Sequence, residues 1–195
     1  MILRQDKEII MQIVKKYKII IWDFDGTIVH LRIDWKSVKQ EIISLLNGKG
    51  LQASISQPLN ELFSLSKSIG IDSELLSIIK NHERKSEFVV DEEIVKIIRG
   101  INRAGLIQCI LSDNFTDTIK LILAKIEILE VFDTILGIDI TREFKPSPQG
   151  LQKLIENYKA EKDEVLYIGD SWKDKDIGSK EGIKFINIKE LKVWE

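Results

Sequence analysis

The sequence predicts an α/β protein built on a doubly wound parallel sheet. Three observations carry that expectation. Apolar segments of strand length recur down the chain: IIIW at 19–22, LIQCIL at 106–111, FDTILGI at 132–138, EVLYIG at 164–169 and IKFINI at 183–188. After the first of them and a long helical block, strand-like and helix-like segments alternate, which is the signature of parallel strands joined by helical crossovers. The first strand, read over Tyr17–Trp22, is apolar on both faces, as a central parallel strand must be.

Taken in order, residues 6–16 place Ile9, Ile10, Ile13 and Val14 at helical spacing, so an amphipathic helix is expected over 1–16, ahead of the first strand. From Leu31 to Phe88 no strong strand signal is present. DWKSVKQEIISLLNGKG offers Asp34 as an N-cap and Gly48 as a stop, and QPLNELFSLSKSIG and DSELLSIIKNHERKSEF also read as helices. The expected organisation is a core of residues 1–30 and 89–195 with a small helical insertion over 31–88. Beyond it, DEEIVKIIRGINRAG has an acidic first turn and ends at Gly105. DNFTDTIKLILAKIEI opens with capping residues, PSPQGLQKLIENYK carries prolines in and before its first turn, and DKDIGSKEG is a short helix ending at Gly182.

Composition narrows the function classes. The chain has 195 residues, 44% hydrophobic and 31% charged, an ordinary balance for a packed domain. Its 29 basic and 31 acidic residues leave a net charge of -2 with no basic stripe, so nucleic-acid binding has no electrostatic support. One cysteine, Cys109, excludes an intrachain disulfide and a thiolate metal cluster, and its place inside LIQCIL makes it a small core residue. No segment is long and apolar enough to span a membrane. The N-terminal segment is too charged for a secretory signal, so the reducing cytoplasm is the expected location.

Open parallel sheets bind ligands beyond the carboxyl ends of their strands. Those positions hold Asp23 and Asp25 after the first strand, and Ser112, Asp113 and Asn114 after the second. Lys145 follows the third at some distance, and Asp170, Ser171, Asp174 and Asp176 follow the fourth. Several carboxylates at one sheet edge require a cation. Hard oxygen donors suit Mg²⁺, and the lack of His or Cys in the set argues against zinc. Bound Mg²⁺ and Lys145 would attract a phosphate dianion, while Ser112 and the backbone N–H groups near Asp25 and Asn114 could hold its oxygens. Phosphoryl transfer depends mainly on positioning and charge stabilisation, which such parts supply.

DFDGT after a hydrophobic strand, Ser112 after the second, Lys145 before a proline and GDSWKD after the fourth strand resemble the haloacid dehalogenase superfamily, in that family's motif order. The resemblance covers 18–188. With a helical insertion between the first two motifs, it is similar to the phosphoglycolate-phosphatase-like branch. It implies a Rossmann-like core with a helical cap over 31–88, and a Mg²⁺-dependent phosphatase acting on a small phosphorylated metabolite. By the same resemblance, Asp23 is the nucleophile that forms an aspartyl-phosphate, and Asp25 is the general acid and then the base. Gly26 permits the turn, and Thr27 supports the motif and is a candidate phosphate-binding residue. Ser112 holds a phosphate oxygen, beside the Asn114 position already read as phosphate-binding from its place at the strand end, and Lys145 neutralises the phosphate and Asp23. Mg²⁺ is implied on Asp23, the backbone carbonyl of Asp25, Asp170 and a second acid.

That second acid falls four or five residues after Asp170 in the family, which favours Asp174 over Asp176 as a ligand or as acceptor for a metal-bound water. Ser112 also fits an N-cap for the helix that follows. Asp113 and Asp176 read as caps or surface charges, and His30 and Arg32 as structural or solvated. Trp172 is ambiguous. The expected partner is a small-molecule phosphate ester, with neither nucleic acid nor membrane; oligomeric state is not legible. Asp25 weighs against dehalogenation, since a halide leaves without a proton. A phosphomutase keeps the same residues, and a non-catalytic protein binding phosphate and Mg²⁺ on this scaffold is the reading from another class.

Overall fold

The computed structural model describes residues 8, 11–13 and 15–191. Among them, 8, 11–13, 15 and 16 are helical and Ile13 is fully buried. Ile9, Ile10 and Val14, expected on the same helical face, lie outside the described residues.

The main sheet has five strands in the order β5-β4-β1-β6-β7, with β1 at Ile19–Trp22, β4 at Ile107–Leu111, β5 at Thr134–Leu136, β6 at Val165–Gly169 and β7 at Lys184–Asn187. Every neighbouring pair is parallel. β1 runs down the centre, fully buried, with Trp22 opposite Ile110 on one side and Ile168 on the other. The chain first builds outward from β1 through β4 to β5, then returns to the other side of β1 for β6 and β7. That reversal puts the switch point of the sheet at the carboxyl end of β1.

Side chains alternate along the strands, so each face of the sheet has its own core. Ile19, Ile21, Cys109, Leu111, Leu136, Val165 and Tyr167 pack with Leu151 and Leu154 of the helix Gln149–Tyr158 and Ile177 of the helix Trp172–Glu181. Burial pushes the Cys109 thiol up to about 12, consistent with an inert core residue. On the opposite face the Trp22 indole donates to Gln108 Oε1 at 3.1 Å, and Gln108 Nε2 donates to the Ile98 carbonyl of the helix Glu92–Arg103 at 3.1 Å. An unpaired buried N–H would cost about 1–3 kcal/mol, so this glutamine in an apolar strand satisfies a tryptophan next to the site.

Residues 31–88 form a compact unit separate from 1–30 and 89–195. It contains the helices Trp35–Gly48, Leu59–Ser68 and Asp72–Lys85, which bury Ile42, Leu62 and Ile79 among other apolar side chains. The first is capped by Asp34, which accepts from the Ser37 N–H at 3.2 Å and its hydroxyl at 2.6 Å. The sequence shows no sign of a separate two-stranded sheet made by β2 at Val29–Leu31 and β3 at Phe88–Val90. Each strand has three residues, too few to establish a period-2 pattern.

Candidate active site

β1 ends at Trp22, and the ladder carries on for one more residue: the Asp23 N–H donates to the Ile168 carbonyl at 2.8 Å. The chain then turns tightly. The Phe24 carbonyl accepts from the N–H groups of Thr27, Ile28 and Val29, and the Gly26 N–H donates to the Val29 carbonyl at 2.7 Å. Gly26 has a φ of +87°, and a Cβ there would lie 2.3 Å from Asp170 Oδ2. The turn therefore needs glycine twice, once for its backbone angle and once to let the Asp170 carboxylate sit against it.

Asp23 and Lys145 are both buried, and Lys145 Nζ lies 2.7 Å from Asp23 Oδ1 and 2.6 Å from Asp174 Oδ1. Lys145 comes from the irregular segment between the helices Ile138–Thr141 and Gln149–Tyr158, and its bond to Pro146 is cis. Burial alone pulls the pKa of the ammonium down. The charges of Asp23 and Asp174 outweigh that and hold Lys145 well above the usual lysine range.

Asp174 is fully buried and its two oxygens are engaged by four donors. Oδ1 accepts from Lys145 and from the Tyr167 hydroxyl at 2.6 Å, and Oδ2 accepts from the Ser171 hydroxyl and from the Ser171 N–H at 3.1 Å. Burial raises its pKa, but the ammonium and these hydrogen bonds win, so it lies below the usual range. Its position in the sequence has a local cause. Ser171 caps the helix Trp172–Glu181, and Asp174 closes a reciprocal capping box with it. Asp176 does not join the site; it pairs with Lys180 one turn along, at 2.7 Å.

One ammonium cannot balance two buried carboxylates, and Asp23 is the one left under-compensated. Burial, with the charge of Asp174 added, pushes its carboxyl well above the usual range against the pull of Lys145. Asp170, exposed at the end of β6, is raised by its partial burial and by Asp174. One oxygen each from Asp23, Asp170 and Asp174 lies within 4.8 Å of the others. Such a cluster of hard donors with surplus negative charge fits a divalent cation of the Mg²⁺ type. Since the oxygens of Asp174 are already taken, Asp23 and Asp170 are the carboxylates best placed to bind it. The Asp25 carboxyl is half-buried and is not part of this cluster.

The remaining expected residues lie around this centre. The Ser112 N–H donates to the Leu136 carbonyl at 3.0 Å. Its hydroxyl donates to Asn114 Oδ1 at 3.0 Å and accepts from the Asn114 N–H at 3.2 Å. Ser112 therefore does not cap the next helix, contrary to one expectation. That helix begins at Thr116, whose N–H donates to Asp139 at 2.8 Å. Thr27 is buried, and its hydroxyl has no hydrogen-bond partner among the described residues. Trp172 is 68% exposed, so it is not a core residue. Arg32 and Glu87 make an exposed pair at 3.4 Å.

The sequence reading missed Tyr167, whose signal was a phenol in an otherwise aliphatic strand. It also set Asp113 aside as a cap or surface charge. Instead, Asp113 Oδ1 accepts from the Lys145 N–H at 2.8 Å and Oδ2 pairs with Lys173 at 3.2 Å.

Comparison with known proteins agrees with this geometry. The model of the haloacid dehalogenase-like hydrolases matches residues 20–188. Pyrophosphatase PpaX of Bacillus cereus strain B4264 is 26% identical over 175 residues, covering 85% of this chain and 80% of its own. Phosphoglycolate phosphatase of Aquifex aeolicus is 23% identical over 183 residues, covering 86% and 82%. The structure of CbbY from Rhodobacter sphaeroides, solved in complex with phosphate, shares the fold with a TM-score of 0.62 at 14% identity, covering 88% of this chain and 85% of that one.

Proposed function

Because the chain belongs to the haloacid dehalogenase-like hydrolases, we propose that it is a Mg²⁺-dependent phosphatase of a small phosphorylated metabolite, working through an aspartyl-phosphate on Asp23. The observation that carries this reading is the buried Asp23 at the switch point, 2.7 Å from a buried Lys145 and grouped with Asp170.

In the first step an Asp23 oxygen attacks phosphorus while the bond to the leaving oxygen breaks. Asp25, two residues on and half-buried, gives that oxygen its proton. In the second step Asp25 takes a proton from water, which attacks phosphorus, releasing phosphate and restoring the Asp23 carboxylate. Lys145, held by Asp174, faces the charge that builds on the phosphoryl oxygens. The Ser112 hydroxyl, the Asn114 amide and the otherwise unpartnered Thr27 hydroxyl are the polar groups assigned to phosphate. Mg²⁺, held by Asp23, Asp170 and the Asp25 carbonyl with Asp174 as acceptor behind them, would neutralise carboxylate and phosphate so that two anions can meet.

The relatives named for pyrophosphate and phosphoglycolate support a small, highly anionic phosphate ester or anhydride as substrate, with sugar phosphates as the neighbouring class. No nucleic acid or membrane partner is proposed. The test is turnover of p-nitrophenyl phosphate and a metabolite panel with Mg²⁺ and with EDTA, for wild type, Asp23→Asn and Asp25→Asn. Mg²⁺-dependent release of phosphate that both variants lose is expected. Activity that survives chelation or Asp23→Asn overturns the mechanism. Transfer of phosphate between positions of one sugar, without release, points to a mutase.

A further inference from the structure

We infer that Asp113 is a positioning residue that sets where Lys145 stands relative to the phosphate-binding turn at Ser112. This deepens the phosphatase reading and rests on it for its kinetic arm.

The two phosphate-facing groups come from different parts of the chain. Ser112 is fixed by the sheet, through its N–H on the Leu136 carbonyl. Lys145 is not on any helix or strand, and its backbone must be held by something else. Asp113 supplies that tie across 32 residues of sequence: it directly follows Ser112, and its Oδ1 accepts from the Lys145 N–H at 2.8 Å. The other oxygen is engaged separately. Lys173 Nζ lies 3.2 Å from Oδ2, and the Asp113 and Lys173 side chains are 25% and 33% exposed. Lys173 precedes Asp174, the acceptor for the Lys145 ammonium. One carboxylate thus joins the segment after β4, the Lys145 segment and the first turn after β6.

The two bonds are separable by chemistry. The bond to the Lys145 N–H needs an acceptor but no charge, so an asparagine can keep it. The contact with Lys173 is a half-exposed ion pair, of a kind that contributes little. If Asp113 positions Lys145, asparagine must preserve function, alanine must not, and loss of Lys173 must matter little.

The experiment compares wild type, Asp113→Asn, Asp113→Ala and Lys173→Ala. It measures kcat and KM for p-nitrophenyl phosphate with Mg²⁺, orthophosphate affinity by calorimetry with Mg²⁺, and amide exchange at Lys145 by NMR. Asp113→Ala is expected to lose about tenfold in kcat and in orthophosphate affinity, the scale of one lost hydrogen bond, with Lys145 amide protection lost. Asp113→Asn and Lys173→Ala are expected to stay within about threefold of wild type and to keep the protection. If the alanine variant does not fold, Asp113→Ser, too short to reach the N–H, takes its place. Asp113→Ala indistinguishable from wild type, or Asp113→Asn as impaired as Asp113→Ala, overturns the inference. A wild type that turns over no phosphoester refutes the phosphatase reading, while orthophosphate affinity and amide exchange still decide the role of Asp113.

Discussion

The hydroxyl of Tyr167 donates to Asp174 Oδ1 at 2.6 Å from within the central sheet. The same oxygen receives the Lys145 ammonium, so a phenol rooted in the hydrophobic core helps aim the cation of the site. Burial, ahead of any charge nearby, keeps that phenol well above its usual pKa, so it stays a donor.

Tyr167→Phe keeps the ring and removes the donor. Asp174 then loses one of four hydrogen bonds and Lys145 gains freedom. Turnover should fall by about tenfold while KM moves little, and the melting temperature should fall as well, because a hydrogen bond to a buried charge contributes about 1.5–3 kcal/mol. Steady-state kinetics beside thermal melts test this. Unchanged kcat with a lowered melting temperature would make Tyr167 a packing residue and nothing more.

Gly26→Ala should act on metal binding. Its Cβ meets the Asp170 carboxylate at 2.3 Å, at a φ of +87°. The variant is expected to lose about 1–3 kcal/mol of stability and, because Asp170 must move, to need more than about tenfold more Mg²⁺ for half-maximal activity. Gly182→Ala is the control. Gly182 also has a left-handed φ, +69°, but nothing lies within 4 Å of a Cβ there. It should lose stability without any change in Mg²⁺ requirement, read by Mg²⁺ titration of turnover and by calorimetry. Equal Mg²⁺ requirements in both variants would rule out this role for the Asp170 contact.

These cases show what a sequence makes legible. β1, β4 and β6 stand out because a strand buried on both faces is a continuous apolar run, and Asp23, Ser112 and Asp170 stand out because each interrupts such a run at its carboxyl end. Asp174 was favoured by its spacing from Asp170, and the structure gives that spacing a local cause in the capping box with Ser171. Asp113 was missed because its partner is remote, Lys145 lying 32 residues on with no local pattern to pair them. Tyr167 was missed because Asp174, seven residues on, belongs to the next helix and shares no strand or helix period with it. β2 and β3 escaped notice because three residues are too few to establish a period-2 pattern. The helical unit over 31–88 shows its helices through periodicity, but its sequence names no substrate.

Asp23 should also leave a mark on stability when metal is absent. Its native carboxyl lies well above the usual range, through burial first and the charge of Asp174 second. The unfolded chain holds Asp near about 3.9, so the native state binds this proton more tightly. By linkage, the stability tied to Asp23 is fully present below the unfolded value and is lost as pH rises through the raised native one. Asp174 works the other way. Its lowered value contributes stability above the unfolded pKa, which is lost only in stronger acid. At neutral pH the burial of Asp23 beside Asp174 is therefore a burden on the metal-free protein. Asp23→Asn keeps an acceptor for Lys145 and removes the charge. In EDTA it should melt above wild type at pH 7, and the gap should close as pH approaches about 4. Mg²⁺ should raise the melting temperature of wild type and leave the variant nearly unmoved, since only a ligand that binds the native state stabilises it. Thermal melts across pH, with and without Mg²⁺, decide the point. A wild type that melts higher than Asp23→Asn in EDTA at pH 7 would mean that the ion pair with Lys145 outweighs the burial of Asp23.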